Sequence, residues 1–104
     1  MNDAIREDTV TCGSHRSFVL SSGPVDGPPL IFVHGWPELA HSWRHQLRTF
    51  GGLGFHCIAP DMRGYGGSTV YTRHADYAQQ IIVDDMRALH AALSLPPAVW
   101  IGHD

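Results

Sequence analysis

Cysteine is scarce in this chain of 104 residues, and so is any excess of one charge. Cys12 and Cys57 are its two cysteines, too few for a disulfide framework. Both stand in apolar surroundings and are expected to be reduced, buried fillers. The formal charge of −3 is small and spread along the chain. It offers no basic stripe for nucleic acid and no basic amphipathic face for a membrane surface. No apolar run approaches the ~20 residues of a bilayer span. Residues 1–8 are polar and mostly acidic, without the cationic start and apolar stretch of a signal peptide. Internal repeats, low-complexity segments and an interdomain linker are also missing. These absences set the expectation of a cytoplasmic protein with neither a nucleic-acid nor a membrane partner.

What is present fits one packed domain. The apolar fraction of 43% is that of ordinary globular proteins. Residues 9–11 and 16–21 read as two strands joined by a turn at Cys12-Gly13-Ser14-His15, with Phe18 and Leu20 on one face. Pro and Gly at high density make residues 23–29 a loop. Leu30-Ile31-Phe32-Val33 runs without polar interruption, as a strand covered on both faces does. A helix is predicted over 41–50, with Trp43, Leu47 and Phe50 on one side. Gly51-Gly52-Leu53-Gly54 ends it. The next strand is 55–59, stopped by Pro60. Residues 61–73 form a Gly-rich loop. Residues 78–93 give the clearest helix, with Ala78, Ile82, Met86, Leu89 and Leu93 in one apolar stripe. Pro96-Pro97 closes that region, and 98–101 is a further buried strand. The order β-β-β-α-β-α-β predicts a three-layer α/β fold: a mostly parallel sheet led by an antiparallel hairpin.

In open α/β sheets, ligands bind beyond the carboxyl ends of the strands. Three loops fall there: 34–39, 61–73 and Gly102-His103-Asp104. Gly102-His103-Asp104 has the form of a nucleophile elbow, a sharp strand-to-turn bend with a small residue two before the nucleophile. The nucleophile position holds Asp104, and a carboxylate attacks carbon without a base to deprotonate it. By itself this tripeptide is more often a turn or a helix N-cap. His34-Gly35-Trp36-Pro37 follows the central apolar strand. Gly35 permits a tight bend, and Pro37 stiffens the loop and is a candidate for a cis peptide bond. Such a loop aims the Trp36 backbone N–H at a developing oxyanion, or else merely connects strand to helix. His34 reads as a structural hydrogen-bonder rather than a base.

Other patterns lose to plainer readings. Gly64, Gly66 and Gly67 do not open a helix, which excludes a dinucleotide fingerprint. The loop is expected to pack beside the pocket, held by an Asp61–Arg63 pair. His41 and His45 stand at i, i+4, but HSWRH lacks the glutamate of HExxH and a third ligand, so a solvated helix face is the default. Asp84-Asp85 likewise reads as a solvated acidic face.

HGWPE, APDMRGYGGS and GHD, in this order and at these strand ends, resemble the motifs of epoxide hydrolases in the α/β-hydrolase superfamily. The resemblance runs from about Thr9 to Asp104. It implies that Asp104 attacks an epoxide carbon to form an alkyl-enzyme ester, which water then hydrolyses to a vicinal diol. It implies oxyanion donors at Trp36 and at the residue after the nucleophile. His34, Gly35 and Pro37 would shape the site loop, and Trp36 and His103 would line the pocket. Family members also use a later histidine with an acidic partner and lid tyrosines, and need no cofactor or metal. Those later elements have no counterpart in residues 1–104. The expectation is therefore the N-terminal portion of one hydrolase core domain, inactive by itself, with the remaining C-terminal half as partner. Residues 98–101 would then form an open apolar edge. Haloalkane or fluoroacetate dehalogenases use the same carboxylate and form a second reading. A non-catalytic fragment that binds a partner through that edge is a third.

Overall fold

The computed structural model describes residues 4–103. Asp104 lies outside the described residues. The chain opens with an antiparallel hairpin, β1 (Arg6–Cys12) and β2 (His15–Ser22). The Gly13-Ser14 turn joins them, and Gly13 takes the left-handed backbone that such a turn needs. β3 (Pro29–Val33), α1 (Arg44–Gly52), β4 (His56–Pro60), α2 (Gln79–Ala92) and β5 (Val99–Gly102) follow. Two short 3₁₀ turns, Ala40–Trp43 and His74–Tyr77, lead into the helices. The five strands form one sheet in the order β1-β2-β4-β3-β5. β3 is parallel to both β4 and β5, and β2 meets β4 antiparallel. The predicted three-layer α/β architecture is borne out.

The unbroken apolar run explains β3. Leu30 and Phe32 point to the α1 side, where they join Leu20, Ala40, Leu47, Cys57 and Ala59. Ile31 points the other way, to Val19, Ile58, Met62, Met86 and Leu89. A strand with a helix layer on each face has no polar side, and the sequence shows none. Trp43, Leu47 and Phe50 pack the first core, and Ile82, Met86, Leu89 and Leu93 the second, as their spacing predicts. Phe32 is fully buried and meets the rings of Trp43 (5.1 Å between centroids) and Phe50 (6.3 Å).

Four expectations about the elements need correction. Pro60 does not stop β4 but is its last residue, paired with Val19 of β2 at the end of the ladder. Cys57 is buried as expected, and burial pushes its thiol up, but Cys12 is only half-buried and donates to the Ala88 carbonyl (3.7 Å). Asp85 is not part of a solvated face. It is buried, while Asp84 is exposed. β5 is not the buried strand expected from its apolar sequence but an outer strand of the sheet, with Val99 and Trp100 exposed along an open edge.

Replacing Phe32 by alanine removes the ring that joins α1 to the sheet. The expected loss is about 3–5 kcal/mol of folding free energy, read as a lower midpoint in urea at unchanged slope.

Candidate active site

The chain leaves β3 and crosses by α1 to β4 on one side. It then crosses by α2 to β5 on the other side of β3. Loops that leave a sheet where the strand order reverses separate and open a crevice. Here that point lies between the carboxyl ends of β3 and β5. The residues after β3 (His34 to Glu38), after β4 (Asp61 to Arg73) and after β5 (His103) all stand on this rim. A cavity of about 590 Å³ lies between them. His34, Gly35, Trp36, Gly102 and His103 line it, with Met62, Tyr65, Tyr77 and Ile82 as further walls.

The first loop is held from several directions. Trp36-Pro37 is a cis peptide bond, the form for which Pro37 was a candidate. The Glu38 N–H donates to the Gly35 carbonyl (2.9 Å), and the Glu38 carboxylate accepts from the Gly35 N–H (3.3 Å). The same Glu38 Oε1 lies 3.5 Å from His103 Nδ1. Glu38 thus links the loop after β3 to the end of β5. The His103 N–H donates to the Val33 carbonyl (3.2 Å), which continues the parallel ladder by one more bond. The Trp36 side chain is 75% exposed at the cavity mouth.

His34 is buried and committed on both nitrogens. Its Nε2 accepts from the Met62 N–H (2.9 Å), so its Nδ1–H donates to the Gly35 carbonyl (3.0 Å). That arrangement has no free lone pair to take a proton, in accord with a structural histidine. The Tyr65 ring packs edge-on against it at 4.8 Å.

The second loop is organised by Asp61, and not by an Asp61–Arg63 pair. Asp61 is buried at the end of β4 and accepts from the Ala40 N–H (2.8 Å) and the Gly67 N–H (3.0 Å). Its carbonyl accepts from the Ser68 hydroxyl (2.6 Å), whose oxygen accepts from the Phe18 N–H (3.0 Å). Gly66 has φ of +50° and lies so close to the Asp61 carboxylate that a Cβ would overlap it. Only glycine satisfies both conditions. Arg63 turns away to α2 and donates to both oxygens of Asp85, at 2.7 and 2.8 Å. The buried aspartate of the loop satisfies backbone amides, and that of α2 satisfies the guanidinium.

Glu38 and Asp85 carry more than the sequence reading assigned them. Glu38 stands inside HGWPE but drew no role. Asp85 had a visible signal: residues 82, 85, 86 and 89 share one helix face, so Asp85 sits on the apolar stripe. His41 and His45 are exposed. Among the described residues no three His, Cys, Asp or Glu side chains gather as a metal site would require. Gly102 lies at the end of β5, and a Cβ there would meet no atom of the described residues within 4 Å.

The profile of the α/β hydrolase fold matches residues 28–104. The chain belongs to the α/β-hydrolase fold family. Within it, the chain is similar to proteins named as epoxide hydrolases. It is 39% identical over 98 residues to epoxide hydrolase A of Mycobacterium tuberculosis, covering 94% of this chain and 30% of that protein. It is 35% identical over 102 residues to epoxide hydrolase 2 of Siraitia grosvenorii, covering 98% of this chain and 32% of that protein. The crystal structure of an epoxide hydrolase from Vigna radiata superposes with a TM-score of 0.91 at 34% identity, covering 96% of this chain and 32% of that one. The chain thus spans about a third of the length of these relatives.

Replacing Asp61 by alanine strands the buried amide of Ala40 and removes the partner of the Gly67 amide. A loss of about 3 kcal/mol or more is expected, measured as a lower chemical-denaturation midpoint than that of the parent protein.

Proposed function

We propose that this chain carries the nucleophile and oxyanion loop of an epoxide hydrolase. In this reading the Asp104 carboxylate attacks one epoxide carbon from the side opposite its C–O bond. That bond breaks as the ester forms, and the epoxide oxygen takes a proton from an acid on the lid. Water then attacks the ester carbonyl, and the Trp36 backbone N–H stabilises the charge on the carbonyl oxygen. Collapse releases the vicinal diol and regenerates the carboxylate. A histidine outside these residues activates the water, since both nitrogens of His34 are already engaged. In this reading it comes from the part of such hydrolases, about two thirds of their length, that this chain does not span.

One observation carries the reading: the Trp36 loop and the end of β5 flank one cavity, and Glu38 reaches from one to the other. The cavity walls Met62, Tyr65 and Ile82 suit an epoxide with an apolar substituent. The resemblance to epoxide hydrolases favours this chemistry over carbon–halogen cleavage by the same carboxylate.

Single-turnover reaction of styrene oxide in heavy-oxygen water separates the routes. The proposal predicts heavy oxygen in the peptide that holds Asp104, and a first-turnover diol that took its new oxygen from the unlabelled carboxylate. Label found directly in the diol, with the Asp104 peptide unlabelled, contradicts it. Turnover of haloalkanes with no epoxide opening would assign the second chemistry.

A further inference from the structure

A polar cluster stands behind the crevice and shares Arg63 with its lining. Asp85 of α2 holds the Arg63 guanidinium by two hydrogen bonds, and Arg63 lies 4.1 Å over the Tyr71 ring. His15, at the start of β2, is buried and stacks on the same ring. Its Nδ1 lies 2.9 Å from the Tyr71 hydroxyl and its Nε2 3.6 Å from Asp85. The groups that face His15 are thus Asp85 from α2 and Arg63 and Tyr71 from the loop. Cys12 stands opposite it on β1, with its thiol on the Ala88 carbonyl.

We propose that His15 and Asp85 position the 34–38 loop through Arg63, and that this tether loosens when His15 takes up a proton. The path is continuous. Arg63 follows Met62 in the chain, the Met62 N–H rests on His34 Nε2, and His34 Nδ1–H rests on the Gly35 carbonyl. With His15 neutral, Nδ1 accepts from the Tyr71 hydroxyl and Nε2–H faces Asp85. One carboxylate then balances one guanidinium. Protonation sets a second cation beside Arg63, where Asp85 is already held by the guanidinium and the Asp76 carboxylate is paired with Arg73. It also makes Nδ1 a donor, so the bond to Tyr71 must reverse.

Burial lowers the His15 pKa from its ordinary 6.5; Asp85 opposes the shift and Arg63 adds to it. The unfolded chain therefore binds this proton at higher pH than the folded one. The stabilisation from neutral His15 is complete above pH 6.5 and is lost as the pH falls below it. None of this depends on the reaction proposed for the crevice.

The test is an NMR titration of the isotope-labelled protein downward through pH 6.5. The His15 ring and the Met62 amide are expected to move with one shared midpoint below that value. In His15→Gln, which keeps a neutral polar side chain, the Met62 movement should vanish. A Met62 amide that stays fixed while the His15 ring titrates overturns the proposal, as does equal movement in the variant. Should that variant fail to fold, the parent protein decides by itself. Midpoints that differ between His15 and Met62, or a His15 that stays neutral until the fold is lost, reject the tether.

Discussion

The candidate site depends on β3 having a parallel neighbour on each side. Parallel pairing sends the carboxyl ends of β3, β4 and β5 to one rim. The reversal of strand order at β3 then parts the loops after β3 and β5 and leaves a crevice. Both conditions follow from a strand that is apolar on both faces, since only such a strand tolerates a helix layer above and below. The crevice is a by-product of how β3 is buried, and the chemistry is placed by the residues that follow each strand.

Those residues are fixed by backbone hydrogen bonding more than by packing. Asp61 gathers amides from the start of a 3₁₀ turn and from the Gly-rich loop. His34 joins the loop after β4 to the loop after β3. Glu38 joins that loop to the end of β5. Each uses a buried or half-buried polar side chain to satisfy amides that turns would otherwise leave unpaired. Regular strands can aim a loop only roughly, and these three side chains hold the loops in one arrangement.

The elements were legible because their signals are local. An uninterrupted apolar run, a 3.6-residue stripe and Pro-Gly punctuation each record the burial of one segment. The strand ends and the loops on them could be read in the same way, which is why His34, Gly35, Trp36 and His103 fall together. Partners were less legible. Arg63 lies two residues from Asp61 in sequence, but pairs with Asp85 on α2, while the Asp61 carboxylate is taken by the amides of Ala40 and Gly67. Asp84 and Asp85 look alike as a dipeptide. Helix geometry sends one to water and the other to the guanidinium. Glu38 was hidden for a related reason, since its partners Gly35 and His103 meet only once β3 and β5 are paired.

The central claim is that the carboxylate after His103 and the Trp36 amide share one cavity. A crystal structure of the protein with an alkyl ester trapped on Asp104 tests it most directly. The account predicts an ester carbonyl oxygen accepting from the Trp36 N–H, with the alkyl group against Met62, Tyr65 and Ile82. An ester directed into bulk solvent, away from Trp36 in an otherwise ordered rim, would contradict it.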